Sequence, residues 1–192
     1  GIPTSFGGTP KIEDSYDPKS KHHITMGTFP VQVDIYKEMN EFKTILENHN
    51  VEVWRPENIN NLNQIFVRDI AFVIEDKLII SNVIDERKDE VFAIHNLLDK
   101  INKSKIINMP SDVRIEGGDV MPWNNFVFIG YSEKEDFDTY KVSRTNVKGL
   151  KFIRSMFPDK IVKGFELNKS DTNPKENALH LDCCFQPFSN NK

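Results

Sequence analysis

Cysteine and clustered positive charge are both scarce in this chain. Its only two cysteines, Cys183 and Cys184, are adjacent, so no disulfide framework is indicated and we expect a reducing, cytoplasmic environment. Lysine and arginine form no run and the net charge is −4, which argues against a nucleic-acid partner. No apolar stretch reaches the roughly 20 residues that cross a membrane, which argues against a membrane partner.

The 192 residues are enough for one domain with a sizeable core, and their apolar periodicity indicates a unit that occurs twice. Each copy reads strand, strand, helix, strand. In the first copy we expect strands at 71–74 and 77–81, a helix at 86–102 and a strand at 105–109. In the second we expect strands at 119–121 and 126–130, a helix at 143–157 and a strand at 160–167. Upstream we expect a loop over 1–30, a helix at 34–49 capped by Asp34, and a strand at 51–54.

The repeated pattern predicts an α/β fold in which strand–strand–helix–strand units stack around an axis like the blades of a propeller, here incomplete. A generic α+β sandwich without a repeat is the alternative. We interpret residues 1–192 as a single partial domain. Its parts are a loop and the end of one blade at 1–60, blades at 61–110 and 111–170, and the start of the next blade at 175–192.

Three short acidic motifs accompany these units. They are Phe66–Asp69, Glu116–Asp119 and His180–Asp182. Asp69 and Asp119 lie 50 positions apart, and Asp182 follows 63 positions later. Because a repeated fold brings equivalent strand ends together, we expect one pocket with several carboxylates and one histidine, which suits a cationic ligand.

Each motif also has a simpler explanation. Gly117 and Gly118 permit a positive φ and a close backbone approach, but two glycines between surface acids often form an ordinary turn, and a phosphate-binding turn would be opposed by the flanking carboxylates. Strand alternation would place His180 and Asp182 on one face, either at the edge of a site or on a polar edge facing solvent. Asp69 could form a surface pair with Arg68.

Two arginines near expected helix starts are further candidates. Arg87 and Glu90 have the spacing of an ion pair on one helix face. Arg144 at a helix start would oppose the helix dipole, which suggests a recognition role such as binding a carboxylate with two hydrogen bonds. Cys183 and Cys184 are expected to pack as small hydrophobic residues, because Cys184 is too far along an extended strand to pair with His180. We expect no metal site and no cofactor.

The chain resembles the superfamily of enzymes that modify guanidino groups, which includes arginine deiminases, dimethylarginine dimethylaminohydrolases and amidinotransferases. The resemblance covers about residues 29–188. Over 116–123 and 177–187 the chain is most similar to bacterial amidinotransferases. The matching motifs are Phe66–Asp69, Arg87 with Glu90, Glu116–Asp119, Arg144–Asn146 and His180–Asp182. It implies the pentein fold, a five-bladed α/β propeller.

The resemblance also implies roles for individual residues. Asp69 and Asp182 would bind the substrate guanidinium from two sides. Glu116 would orient His180, and His180 would protonate the departing amine, which makes these two the catalytic residues. The resemblance further implies binding of the substrate's α-carboxylate by Arg87 and Arg144. Asp119 would belong to the substrate-binding group or would instead hold the turn.

The chemistry that the resemblance implies is attack by a cysteine thiolate on the central guanidinium carbon, giving a covalent amidino–cysteine intermediate that water or an amine resolves. The family's cysteine lies in its last blade, and the chain has no candidate there, so we expect an internal fragment that is inactive alone. The expected partner is a small guanidino compound, and a homo-oligomer is left open. The alternatives are a guanidinium-binding module without catalysis and a structural remnant that binds no guanidinium.

Overall fold

A computed structural model of the chain describes residues 10–60 and 62–188. Its first helix, α1 (Pro18–Thr25), lies where the sequence indicated a loop. The loop prediction is wrong there because two start signals act together: Asp17 accepts a hydrogen bond from the Ser20 backbone at 2.8 Å, and Pro18 supplies a helical φ. The first nine residues of the expected loop lie outside the described residues.

The second helix, α2 (Gln32–Asn48), confirms the helix expected at 34–49. Its cap is Val31 rather than Asp34, which lies inside the first turn. None of its residues is buried, so this helix packs loosely on the rest of the chain. The strand expected at 51–54 does not form, because no strand in the described ranges pairs with it.

Two small sheets with the same topology form the centre of the fold. The first contains β1 (Ala71–Ile74), β2 (Lys77–Ile80) and β3 (Ile106–Asn108), and the second contains β4 (Val120–Trp123), β5 (Phe126–Tyr131) and β6 (Ile161–Glu166). In both, the first two strands form an antiparallel hairpin and the third is parallel to the second. Ala71 is opposite Ile80, and Val120 is opposite Ile129. The predicted repeat and α/β class are therefore confirmed, but the described residues form two units and no closed ring.

Four short helices flank the strands. They are α3 (Val67–Ile70), α4 (His95–Leu98), α5 (Lys134–Thr139) and α6 (Val147–Met156). Of these, α4 and α6 lie within the helices expected at 86–102 and 143–157 and are shorter than expected, whereas α3 and α5 were not expected. Most of the helix expected at 86–102 is a 3₁₀ segment, Asp85–Ile94, which α4 continues. In a 3₁₀ helix residues three apart are eclipsed, and this places Arg87 directly over Glu90. No helix in the described part of the chain is both long and apolar enough to span a bilayer.

One hydrophobic core joins the two units. Phe72 and Ile79 on one face of the first sheet belong to the same buried cluster as Ile129 of the second sheet and Leu150 of α6. A second cluster covers the other face of the first sheet with the 85–98 segment. A third cluster joins Met121, Leu167 and Leu181 and holds the 178–185 segment against the second sheet. This packing fixes the segment that carries His180.

Candidate active site

The three acidic motifs meet in the interior, at the ends of β1 and β4. Asp69, Glu116 and His180 have 5%, 0% and 4% of their surfaces exposed. His180 Nε2 lies 3.1 Å from Glu116 Oε2, and His180 Nδ1 lies 4.0 Å from Asp69 Oδ1. The structure therefore brings together one residue from each motif, separated by up to 111 positions in the sequence.

The glycine pair makes room for this meeting. A Cβ atom at Gly118 would lie 2.7 Å from His180 Cγ and 2.9 Å from Asp69 Oδ1, and one at Gly117 would lie 1.9 Å from the Arg68 carbonyl oxygen. Neither glycine has a positive φ, so the expectation that they supply one is wrong. Both positions require glycine because the backbone there approaches neighbouring atoms too closely for a Cβ atom.

Arg87 lies at the centre of the acidic cluster. Its Nε and Nη2 donate to the two oxygens of Glu90 at 2.8 and 2.7 Å, and its Nη1 donates to Asp69 at 2.8 Å and to Glu116 at 3.1 Å. Burial opposes the charge of Arg87, but the hydrogen bond to Glu90 and the neighbouring carboxylates raise its pKa. Burial raises the pKa of Glu90, with Arg87 acting against it. One guanidinium thus already occupies the cluster.

Glu116 connects this guanidinium to two further cationic groups. Arg144 Nη1 lies 3.5 Å from both Glu116 oxygens, and His180 forms the hydrogen bond described above. Burial opposes ionisation of Glu116, yet the hydrogen bond with His180 and the charges of Arg144 and Arg87 lower its pKa to about 2. Glu116 is therefore a permanent anion that holds the imidazole in place.

Arg144 lies before its helix rather than in it. The helix begins at Val147 with Asn146 as its cap, so the expected opposition between Arg144 and the helix dipole does not arise. Arg144 is 5% exposed, and its Nε has no hydrogen-bond partner in the structure. It lines an open cavity of about 220 Å³ together with Tyr16, Arg114 and Tyr140. This cavity lies beside the acidic cluster.

The charged neighbours of His180 decide its protonation. Burial lowers the pKa of the imidazole, but the charge of Asp119, the hydrogen bond with Glu116 and the charge of Asp69 raise it, and the net pKa lies above its ordinary value of 6.5. His180 is thus biased toward the protonated form, in which both ring nitrogens carry protons. A buried imidazolium beside two carboxylates can donate a proton to a nitrogen leaving group.

Asp119 faces away from Arg87. Its Oδ2 accepts a hydrogen bond from the Thr145 hydroxyl at 2.6 Å, and its Oδ1 accepts one from the Leu181 backbone at 2.9 Å. It is fully buried, and burial raises its pKa. These contacts agree with the interpretation that Asp119 holds the turn.

Asp182 lies outside the cluster. Residues 181–183 form a 3₁₀ turn, so the strand alternation expected for His180 and Asp182 is wrong: His180 and Leu181 are buried and Asp182 is exposed. Leu181 packs into the third hydrophobic cluster, which bends the chain. Asp182 instead lies 3.5 Å from Arg68 Nε, and Arg68 donates to the Val120 carbonyl at 2.7 Å.

The cysteines are exposed, which corrects the expectation that they pack as hydrophobic residues. The Cys183 thiol contacts Asp182, and the Cys184 thiol contacts the Leu181 carbonyl. Although Cys183 is exposed as a residue, partial desolvation of its thiol raises the thiol pKa, and the charge of Asp182 acts in the same direction. A raised pKa disfavours the thiolate, so neither the position nor the ionisation of Cys183 suits a nucleophile.

Ligand atoms of Asp69, Glu116 and His180 lie within 4.8 Å of one another, as in a metal site. Arg87 already donates hydrogen bonds to both carboxylates, and a cation placed among them would face this guanidinium. The cluster is therefore better suited to a guanidinium than to a metal ion. One buried residue near it, Lys169, gave no signal in the sequence, because a lysine after a strand is usually a surface residue.

The chain was compared with known protein families, sequences and solved structures. No known protein-family profile matches the sequence. The uncharacterized protein YkgA of Bacillus subtilis is 29% identical over 148 residues, which are 75% of this chain and 44% of YkgA.

Three solved structures are similar. Dimethylarginine dimethylaminohydrolase from Pseudomonas aeruginosa, in complex with citrulline, has a TM-score of 0.59 and 17% identity over 77% of this chain and 55% of that one. SxtG, an amidinotransferase from Microseira wollei, has a TM-score of 0.59 and 20% identity, and the match covers 79% of this chain and 52% of SxtG. The N-terminal domain of ArgZ, a cyanobacterial arginine dihydrolase in complex with its substrate, has a TM-score of 0.62 and 17% identity. This match covers 83% of this chain and 54% of that one.

These similarities concern the fold. The chain spans less than half of YkgA and about half of each solved chain. Its two units therefore have the fold of about half of each of these solved chains, and the predicted resemblance to guanidino-modifying enzymes is confirmed as a similarity of fold.

Proposed function

We propose that this chain is part of an enzyme that modifies a guanidino compound, by amidino transfer to an amine or by deimination of arginine or a related substrate. The observation that carries the proposal is the buried hydrogen bond of 3.1 Å between His180 and Glu116, with Asp69 beside the same imidazole. The structural relatives named above act on substrates of this class. In this proposal 61–110 and 111–170 are two blades of a larger propeller, and 175–192 begins another.

Asp69 binds the substrate guanidinium from one side. We assign the other side to Asp182, whose carboxylate pairs with Arg68 outside the cluster in this structure. A guanidinium stays protonated and offers five in-plane donors, so carboxylates on two sides fix its plane and expose its central carbon. His180 is positioned by Glu116 and protonates the departing amine, and the upward shift of its pKa favours the protonated form that this role needs.

Arg87 and Arg144 bind the substrate's α-carboxylate. Arg87 Nη1 now bonds to Asp69, so a guanidinium that binds Asp69 displaces it and frees it for a carboxylate. Arg144 lines the adjacent cavity with an unpartnered Nε, which favours the same role. Asp119 supports the turn beneath them.

A cysteine thiolate attacks the central carbon, and the C–N bond to the departing nitrogen breaks as His180 protonates that nitrogen. The product of this half-reaction is an amidino–cysteine thioether, which water or an acceptor amine then resolves. Cys183 and Cys184 are exposed and hydrogen-bond away from His180, so we assign the nucleophile to a cysteine outside this chain.

The test uses the full-length protein that contains this chain. It is incubated with arginine or dimethylarginine, with and without glycine as acceptor, and the products are identified by mass spectrometry. We expect a new guanidino or ureido product from the wild-type protein and none from His180→Ala. His95→Ala is the matched control, because His95 is exposed on α4. Full turnover by His180→Ala would contradict the proposal.

A binding module without catalysis is the second candidate. It is favoured by one observation: the cluster already holds a guanidinium, that of Arg87, and neither cysteine of the chain contacts it. Titration calorimetry with arginine and covalent trapping with a chloroacetamidine reagent separate the two candidates. An enzyme binds arginine and is alkylated at one cysteine, whereas a binding module binds arginine and is not alkylated at its site.

A further inference from the structure

Lys169, which follows β6, is a buried lysine that the proposed mechanism does not use. It is 7% exposed. Its Nζ donates hydrogen bonds to the carbonyl oxygens of Ala178 and Leu179, each at 2.8 Å. These are the two residues that immediately precede His180. Lys169 therefore fixes the backbone on the N-terminal side of the imidazole.

Asp119 fixes the C-terminal side. It is 1% exposed and accepts the hydrogen bond of the Leu181 backbone at 2.9 Å. Its own position is set by the Thr145 hydroxyl and by Gly130, where a Cβ atom would lie 2.6 Å from Asp119 Oδ1. Lys169 and Asp119 thus hold residues 178–181 from both ends. The imidazole between them packs against Gly118.

The charge on Lys169 is unfavourable for packing alone. Burial lowers the pKa of Lys169, and Asp119 is the neighbour that most strongly counters this effect. Arg144 also acts against the ammonium, whereas Cys183 and Glu116 favour it. A neutral backbone or side-chain donor could satisfy two carbonyls without burying a charge. We therefore interpret the buried ammonium of Lys169 as a donor that keeps the carbonyls of Ala178 and Leu179 in fixed positions.

We propose that Lys169 is a positioning residue for His180, and that with Asp119 it keeps the imidazole in hydrogen-bonding distance of Glu116. Its catalytic consequence rests on the function proposed above, but the positioning itself does not. No contact between Lys169 and the carboxylate of Asp69 or Asp182 is found among the described residues, so its effect passes through His180.

The experiment measures the pKa of His180 by NMR titration of the full-length protein with isotope-labelled histidine, and His180→Gln assigns its signal. The charged groups facing His180 are the carboxylates of Asp119, Glu116 and Asp69. Losing the Lys169 cation raises the His180 pKa by direct charge, whereas losing contact with these carboxylates lowers it. Lys169 also favours the ionised form of Asp119, so the same titration follows the carboxyl carbon of Asp119. While Asp119 stays ionised, the two explanations predict opposite signs.

In Lys169→Met and Lys169→Gln we expect the His180 pKa to fall toward its ordinary value. In Lys169→Arg, which keeps the charge and the donors, we expect it to stay near that of the wild type. Lys151→Met, at an exposed position on α6, is the control. An unchanged or raised His180 pKa in the folded Met and Gln variants would overturn the proposal, and so would failure of both variants to fold, since Lys169 would then be a structural residue.

Kinetics add a second readout. Displacement of a catalytic group by about 1 Å can reduce turnover about 10²-fold, so we expect kcat of Lys169→Met to fall by that order with little change in KM. Lysine-to-arginine exchange should restore most of the rate. If the wild-type protein turns over no guanidino compound, the proposed function fails, and the NMR titration still decides whether Lys169 positions His180.

Discussion

At the scale of single residues, Glu116 has a large electrostatic effect that can be tested directly. Its pKa changes from 4.5 to about 2 on folding, which corresponds to about 3 kcal/mol of stability at neutral pH. Because the folded pKa is the lower one, this contribution is complete above pH 4.5 and disappears as the pH falls through about 2.

We therefore expect Glu116→Gln to lower the free energy of unfolding by about 3 kcal/mol near neutral pH, with a difference that shrinks in acid. Urea unfolding of variant and wild type over a pH series measures it. Glu38→Gln, on the exposed side of α2, is the control and should change little at any pH. A deficit that did not depend on pH would mean that the charge of Glu116 is not what stabilises the fold.

Arg87 is the second residue with a large expected effect. Arg87→Ala leaves the carboxylates of Asp69, Glu90 and Glu116 without their shared partner, and removing one member of a buried ion pair destabilises by roughly 3–5 kcal/mol. The variant also leaves a guanidinium-sized space lined by three acids. We expect low millimolar methylguanidinium to raise its Tm by more than that of the wild type, in which the ligand must first displace Arg87 from Asp69.

Tetramethylammonium is the matched control ligand, because it carries the same charge without hydrogen-bond donors. Thermal unfolding followed by circular dichroism provides the measurement. Equal responses to both cations would show that the cluster responds to charge alone, and this would weaken the assignment of guanidinium as its ligand.

At the scale of elements, the hairpins follow from local sequence and the 3₁₀ segments do not. Both hairpins consist of short, largely apolar runs separated by a polar turn that contains a residue with positive φ, Glu75 or Asn124, so the local sequence was enough to predict them. A helix over 86–102 was expected because Val91, Ile94 and Leu98 have helical spacing. The shape of the 85–94 segment depends instead on the bonds between Arg87 and Glu90 and on carboxylates distant in sequence. Such long-range contacts leave no local pattern.

Helix α6 depends on its cap residue. Asn146 accepts the Gly149 backbone hydrogen bond at 2.9 Å and the Arg114 backbone hydrogen bond at 3.2 Å, and so connects the helix to the loop that leads to Glu116. Loss of an asparagine cap costs about 1 kcal/mol, and the second bond adds to this.

We therefore expect Asn146→Ala to lower the free energy of unfolding by about 1–2 kcal/mol in urea titrations. Asn48→Ala, at the exposed end of α2, is the comparison. An effect no larger than that of Asn48→Ala would show that the cap is replaceable by water.

At the scale of the whole molecule, the sequence predicted the meeting of three motifs but not all of its members. Asp69, Glu116 and His180 were found from the motifs, because a repeated unit implies equivalent strand ends. The position of Asp182 was mispredicted, since Leu181 packs into a core cluster that the sequence did not indicate. Lys169 was missed because its partners are backbone carbonyls, which have no sequence signature.

The hairpin register separates two acids that look equivalent in the sequence. Ala71 and Val120 occupy the same place in their hairpins, yet Asp69 precedes its strand by two residues and Asp119 by one. Both acids lie on helical turns that precede these strands, where a shift of one residue turns a side chain by about 100–120°. The repeated unit thus places its two acids in different environments. Asp69 accepts a hydrogen bond from the guanidinium of Arg87, whereas Asp119 accepts one from the Leu181 backbone and supports the fold.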